Sequence, residues 1–295
     1  MVKTKNTELV AKYLEHIKKE KKLSEGTITT YTNIGKNLDF SIMLSQKTLI
    51  QKLKNLYDNP NTLQLYLNMI ILIRRYNDEA TDMLVKLRNS LRDDIIKMRK
   101  QNLDKLDEKL PSKSYIIEQL DNMSGIRFIL NYLIIHHALR NKDMNLLIIE
   151  NEKDMNDENQ NYMVINKRKK MIKLIINDYK TEKSFGTKEI KITDPDFYKN
   201  VLKVFNENNS KNLLHLKNGD KIKSVSTLND KILNLTIDKL GQNKIVKVMI
   251  KDLLNNKSFD KLEQLSRDRG TSLDVLLKSY NLHAGTGDGE DNDDN

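Results

Sequence analysis

The sequence predicts a mainly α-helical protein with a small antiparallel β-sheet, arranged in two domains. The chain has 295 residues, which corresponds to about two domains of ~150 residues each. Only three prolines and ten glycines interrupt it, and long stretches repeat apolar residues with the helical period. One stretch in the second half instead alternates short β-rich runs with polar turns, which is typical of a small sheet.

The first predicted domain, residues 1–108, contains helices only. Apolar side chains recur at helical spacing, and Ser and Asn-Pro signals mark where helices begin. The predicted elements are helices over 9–17, after an N-cap at Ser24, from near Ser45, over 62–74, and one helix or helix pair over the charged stretch 77–109.

The second predicted domain, residues 109–284, contains helices that flank the sheet. Two helices come first, over 115–122 and 124–137. The three antiparallel strands follow, over 162–165, 171–176 and 189–192. Five more helices are predicted over 197–206, 227–240, 245–254, 259–267 and 273–280. The acidic segment 285–295 has the composition of a disordered tail.

The charge predicts a polyanionic partner. The formal net charge is +10, although the last eleven residues carry five acidic groups and no basic one. The rest of the chain is therefore still more basic than the whole. A chain with this balance favours binding to nucleic acid, most simply duplex DNA.

Several classes of function are excluded by what the sequence lacks. It has no cysteine, so disulfides, thiolate metal sites and Cys nucleophiles are ruled out. It has no P-loop, dinucleotide-binding, nucleophile-elbow or zinc-protease motif. His136 and His137 are adjacent, so on a helix they point about 100° apart and form a poor metal site. We therefore expect no cofactor, no metal, no membrane span and an intracellular location.

One segment carries a candidate for anion chemistry. Helix 124–137 is followed by Ala138-Leu-Arg-Asn-Lys-Asp143 and then by the apolar run Asn145-Leu-Leu-Ile-Ile. From the residues alone, Arg140 and Asp143 favour a structural ion pair. The alternative is an arginine that binds phosphate through its planar donors.

The order of several segments resembles the tyrosine recombinases, also called phage integrases. That family has a Gly-Leu-Arg-x-x-Glu box before an apolar strand, which Ala138 to Asp143 resembles. It then has a lysine at a β-hairpin, matched by Lys180 with Lys183 and Lys188 as less favoured substitutes. A glycine-turn segment is matched by 213–222, and a final Gly-His…Tyr stretch is similar to 269–280. Residues 10–31 are similar to the start of the family's helical DNA-binding domain.

This resemblance implies a site and also shows where the chain departs from it. It implies Tyr280 as the nucleophile, Arg140 as the phosphate-binding arginine with Asp143 behind it, and Lys180 as the general acid. The second box, His-x-x-Arg in the family, is Lys244-Ile-Val-Lys247 here. Thr271 replaces a further His or Trp donor. Lys247 is the larger departure, because a lysine cannot form the bidentate contact that a guanidinium forms.

The resemblance also implies the partners. The two domains would form a C-shaped clamp around duplex DNA, active as a tetramer, in a mobile element or virus and its host cell. The basic run Lys167, Arg168, Lys169 and Lys170 is either a solvated turn or a further DNA contact, and Lys183 is assigned to DNA binding as well. Two alternatives stay open: a clamp of the same fold that binds DNA without cleaving it, and a helical scaffold unrelated to DNA.

Overall fold

The computed structural model describes residues 2–20, 25–107 and 109–280, with side chains for 2–17, 26–98, 101 and 109–277. The predicted N-cap Ser24 and the acidic segment 285–295 lie outside the described residues. The chain divides between Leu106 and Asp107 into two compact units.

The first unit consists of helices, as predicted. Ser45 accepts a hydrogen bond from the Thr48 amide and begins the third helix, as its sequence indicated. Asn59 caps the fourth helix, with Pro60 in its first turn. The charged stretch forms one long helix rather than a pair. The helices are α1 (Val2–Glu20), α2 (Glu25–Asn37), α3 (Gln46–Leu56), α4 (Pro60–Tyr76) and α5 (Asp82–Asp107).

Two buried polar side chains fix the segment between α2 and α3. Asn6 donates to the Phe40 carbonyl at 2.8 Å and accepts from the Ile42 amide. Arg74 donates to the carbonyls of Ile42 and Leu44 at 3.1 and 2.9 Å. Because the backbone groups of a buried connection need partners, these side chains replace the hydrogen bonds that a helix would have supplied.

The second unit places eight helices around one sheet within its described residues. The helices are α6 (Lys113–Asp121), α7 (Gly125–His137), α8 (Glu182–Phe185), α9 (Pro195–Glu207), α10 (Val225–Leu235), α11 (Gln242–Asn255), α12 (Phe259–Arg269) and α13 (Leu273–Tyr280). The helix predicted over 227–240 ends at Leu235, and a 3₁₀ turn follows it. The helix predicted over 273–280 is confirmed.

The sheet has four strands and is mixed, so the prediction of an antiparallel sheet is wrong in one respect. Strands β2 (Asn161–Asn166), β3 (Met171–Ile176) and β4 (Lys188–Ile192) are antiparallel neighbours, as the pattern predicted. Strand β1 (Leu146–Ile149) is added parallel to β2. The eleven residues between β1 and β2 carry the chain back to the same end of the sheet, which permits the parallel pairing.

One consequence of this topology positions the site. Strands β1 and β2 begin at the same end of the sheet, and β3 ends there. β4 begins there as well, because Lys188 pairs with Ile176. The connection 177–187 therefore lies at the same end as the segment that follows α7. The main core of the unit fills the space between the sheet and α7, α9 and α11.

Candidate functional site

The last turn of α7 sets the position of Arg140. Ala138 adopts the left-handed conformation, with φ 49°, and its amide donates to the Ile134 carbonyl. That bond is the one of an αL-type helix end, and the Leu139 amide reaches back to the Leu133 carbonyl. Glycine is the usual residue at such a position. The turn buries Ala138 and Leu139 completely, and the Arg140 side chain after it is half-buried.

Arg140 is held at two points and still has donors to spare. Its backbone amide donates to Asp143 Oδ2 at 3.2 Å. Its guanidinium donates through Nη1 to the carbonyl of Arg269, which is 129 residues away in sequence. Among the residues that the structure describes, no acceptor faces Nε or Nη2. The planar group can therefore bind an oxyanion without giving up its two existing contacts.

Asp143 does not form the ion pair with the Arg140 side chain that the spacing suggested. The carboxylate is fully buried, and its Oδ2 accepts from the Lys188 ammonium at 3.2 Å as well as from the Arg140 amide. Its other oxygen has no hydrogen-bond partner within the described part of the chain. The ion pair therefore links Asp143 to β4, and the Arg140 guanidinium is left for another role.

Lys188, a less favoured substitute for Lys180 in the sequence analysis, is the lysine whose ammonium contacts Asp143. It is only 8% exposed, and its ammonium donates to the Asp268 carbonyl at 2.9 Å and lies 4.0 Å from the centre of the Tyr179 ring. Burial lowers the pKa of the lysine, although Asp143 opposes that effect. The sequence does carry a signal for this burial. Lys188, Ile190 and Ile192 are every second residue of β4, so the three side chains lie on the same, apolar face of the strand.

The C-terminal end of α12 completes the cluster. The carbonyls of Asp268, Arg269 and Gly270 accept from Lys188, Arg140 and Thr181 respectively. These are carbonyls at the negative end of the helix, which favours cationic donors. We call these residues, together with Asp143 and Tyr179, the Arg140 cluster.

Two further side chains fix this end of α12. Asp268 binds His137 Nδ1 at 2.6 Å and Gln264 at 2.6 Å. Arg269 is buried and donates to the Ala138 carbonyl at 2.6 Å and to Asn243 at 3.1 Å. The end of α12 is therefore bound to the end of α7 by contacts that no local sequence pattern predicts.

Lys180 and Lys183 lie beside the cluster but do not enter it. Both are exposed and belong to the connection 177–187, between Tyr179 and Lys188. This connection contains the short helix α8, so Lys180 does not stand at the turn of a tight hairpin. Its role as a general acid stays a prediction.

The basic run Lys167 to Lys170 lies at the other end of the sheet. It forms the exposed turn between β2 and β3, and Lys167 pairs with Glu150. Asn161, at the start of β2, donates to the Asp143 carbonyl. Because a strand rises about 3.3 Å per residue, the turn is about 20 Å from that point. These residues do not share a site with Arg140, so contact with DNA there would be a separate contact.

The residues in the second-box positions fall in two environments. Lys244 is exposed on α11, whereas Lys247 is only 2% exposed. Lys247 follows Asn243 by one helical turn and lies on the face that contacts Arg269. Thr271 directly follows Gly270, is partly buried, and donates its amide to the Ser266 carbonyl.

Tyr280 is the last residue of α13, which packs against α11 and α12. Its side chain lies outside the described residues, so its predicted nucleophilic role stays a prediction.

Two other kinds of site are absent from the described ranges. No helix there combines the length and the apolar character that crossing a membrane requires. Nor do three or more His, Asp or Glu side chains gather there in a group that could hold a metal ion.

Comparisons with known proteins give little. No protein-family model matches the sequence, and no curated protein matches it. One solved structure, titled "Crystal structure of XerA recombinase", is similar over 94% of this chain and 94% of its own, with 12% identity and a TM-score of 0.38. A TM-score that low carries no weight for fold or function, so a function for this chain has to be inferred from its own residues.

Proposed function

We propose that this protein binds duplex DNA and breaks and rejoins its strands by tyrosine-recombinase chemistry. The contact between the Arg140 guanidinium and the Arg269 carbonyl is the observation that carries the proposal. It joins the arginine of the first motif to the segment that leads, through Gly270 and α13, to Tyr280. The resemblance of the sequence to recombinases requires these two distant segments to meet at one site.

The proposed reaction uses side chains of the second unit only. The Tyr280 hydroxyl gives up its proton to solvent as its oxygen attacks the phosphorus of a DNA phosphodiester, and the bond from phosphorus to the 5′-oxygen breaks. The product is a 3′-phosphotyrosyl bond and a free 5′-hydroxyl, which takes its proton from Lys180. Negative charge grows on the non-bridging oxygens in the transition state, where the free donors of Arg140 would stabilise it.

The affinity for DNA follows from the same proposal. Contacts with phosphates, rather than with bases, would dominate, so affinity should fall steeply as salt rises. Residues 1–108 would bind one face of the duplex and residues 109–284 the other. A tetramer on two duplexes would exchange strands, inside the cell that holds the DNA of a mobile element or virus.

A second function is favoured by one observation. Lys247 takes the place of the family's second arginine, and it is buried rather than open to a phosphate. Loss of one preorganised donor to a developing oxyanion costs about 10²–10³ in rate. A protein that binds DNA for architecture, packaging or regulation, without cleaving it, would retain Arg140 and tolerate this change.

Covalent trapping separates the two functions. The wild-type protein is incubated with fragmented, nicked DNA, denatured in SDS and examined for protein-linked DNA, alongside Tyr280→Phe. Tyr115→Phe is the matched control, because Tyr115 is a surface tyrosine of the same unit whose hydroxyl bonds Asp238. We expect an adduct in the wild type and the control and none in Tyr280→Phe. Salt-dependent binding without any adduct would contradict the enzymatic function and favour the second function, in which the protein binds DNA without cleaving it.

A further inference from the structure

We infer that Lys188 is a positioning residue that holds the Arg140 guanidinium in its phosphate-binding place. The inference rests on the proposed function, because it concerns the same site. It assigns a task to a buried lysine that the proposed reaction does not use. It also predicts that a side chain out of reach of DNA controls one phosphate contact.

The burial of Lys188 excludes a direct contact with DNA in this arrangement. The residue is 8% exposed, and its ammonium is enclosed by a carboxylate oxygen, a carbonyl oxygen and an aromatic ring. The Tyr179 ring, 4.0 Å away, is itself fixed by a 2.6 Å hydrogen bond from its hydroxyl to the Gly186 carbonyl. Any effect of Lys188 on DNA binding must therefore pass through its neighbours.

Two sets of contacts connect Lys188 to Arg140. In the first, the ammonium binds Asp143 Oδ2, and the same oxygen accepts from the Arg140 amide. In the second, the ammonium binds the Asp268 carbonyl, and the next carbonyl, that of Arg269, accepts from Arg140 Nη1. One ammonium thus contacts the carboxylate oxygen that holds the Arg140 backbone and the carbonyl next to the one that holds the Arg140 guanidinium.

The chemistry of the location supports a positioning role over a packing role. Burial of an ammonium is unfavourable unless its partners compensate, and an apolar side chain of similar volume is often as stable there or more stable. A methionine at this position would fill the same space. What it would lose is the bridge between Asp143 and the end of α12.

The test is a double-mutant cycle on DNA binding. Affinity for a mixed-sequence duplex is measured across a range of salt for the wild type, Arg140→Ala, Lys188→Met and the double variant. Arg140→Ala should weaken binding about tenfold and reduce the salt slope by about one. We expect Lys188→Met to produce a similar loss and the same change in slope. The double variant should bind about as well as Arg140→Ala alone, since both changes remove one contact.

Lys191→Met is the matched control. Lys191 is exposed on the same strand, three residues from Lys188, so the variant loses the same charge from β4 without touching the cluster. It should keep the wild-type salt slope. If Lys188→Met also keeps that slope, or if its effect multiplies with that of Arg140→Ala, the positioning role is overturned.

A second variant and a second measurement cover the case in which Lys188→Met does not fold. Asp143→Asn breaks the first connection from its other end and should give the same slope as Arg140→Ala. The arginine side-chain NMR spectrum of the free protein should show a shifted Arg140 signal in Lys188→Arg or Asp143→Asn, but not in Lys191→Met. An unchanged signal in both would overturn the inference without reference to DNA.

Failure of the proposed function has its own signature. If Arg140→Ala itself leaves affinity and salt slope unchanged, Arg140 binds no phosphate, and the proposed function falls together with this inference. If Arg140→Ala has its effect and Lys188→Met does not, only the inference about Lys188 falls.

Discussion

Arg74 in the first unit and Arg140 in the second are both held by backbone carbonyls, but Arg74 makes four side-chain hydrogen bonds to the described residues and Arg140 makes one. Arg74 is 3% exposed and donates to the carbonyls of Ile42, Leu44 and Ala80 and to Glu79. Arg140 is half-buried and gives one side-chain hydrogen bond to the described residues. The same side chain joins several backbone segments in the first unit, whereas in the second it keeps most of its donors unused among the described residues.

The comparison shows that burial alone does not identify a functional arginine. Arg74 closes the connection between α2 and α3, and all four of its partners belong to the first unit. Arg140 is oriented by the end of α12 and by Asp143, and its remaining donors face no protein acceptor in the described residues. What distinguishes the two is the number of donors already used, and this difference can be measured.

The largest expected effect is on stability, at Arg74. Arg74→Met should destabilise the first unit by about 3–5 kcal/mol, because the buried Ile42 carbonyl, the partly buried Leu44 and Ala80 carbonyls and Glu79 all lose the same donor group. Denaturant unfolding would measure this loss. Arg140→Met should cost less than about 1.5 kcal/mol, since it removes one carbonyl contact. Equal losses for the two variants would break the comparison.

An intermediate effect is expected at Gly270, in the turn that holds the end of α12. Gly270 has φ +66°, and a Cβ there would lie 2.6 Å from Cε2 of the Tyr179 ring. Gly270→Ala should destabilise the protein by about 2–4 kcal/mol, through left-handed strain plus overpacking.

Gly125→Ala is the control for that prediction. Its φ is +62°, but the nearest atom to an added Cβ is 3.8 Å away. It should show the strain alone, about 1–2 kcal/mol. If Gly270→Ala and Gly125→Ala lose the same stability in thermal or denaturant unfolding, the Tyr179 ring can move aside without cost. The Arg140 cluster would then be less rigid than its contacts indicate.

The smallest expected effect is a loss of stability at alkaline pH, and it compares one buried tyrosine from each unit. Burial raises the pKa of Tyr13 in the first unit and of Tyr132 in the second to about 12. A raised pKa means that the unfolded chain loses the proton first, so stability is complete below about pH 10 and falls as pH rises toward 12.

Each tyrosine can be tested by removing its hydroxyl. Tyr13→Phe and Tyr132→Phe should each reduce the fall in the free energy of unfolding between pH 10 and 12, by about 1 kcal/mol after allowance for partial solvation. A wild-type fall in both variants would contradict the assigned cause.

Local patterns predicted most of the secondary structure. Ser45 and the Asp58-Asn-Pro-Asn turn marked the starts of α3 and α4, and the short β-rich run 189–192 marked β4. These signals act within one helical turn or along one strand, so they can be read from neighbouring residues. The parallel placement of β1 escaped prediction because it depends on where an eleven-residue connection returns the chain.

The site was predicted less completely, and the misses share a cause. Arg140 and Asp143 were found from one short motif, but the partner of Asp143 is 45 residues away and that of the Arg140 guanidinium 129 residues away. Several lysines of the second unit look equivalent in sequence. Lys180 and Lys244 are exposed, whereas Lys188 and Lys247 are buried.

The sequence by itself determined the helical character, the position of the small sheet, the basic charge and the arginine at the end of α7. Each follows from local periodicity, capping or composition. The tertiary structure alone decided which lysine is buried beside Asp143 and which carbonyls hold the Arg140 guanidinium. These contacts depend on how α12 and β4 pack against the end of α7, and such packing is a property of distant segments that no local pattern records.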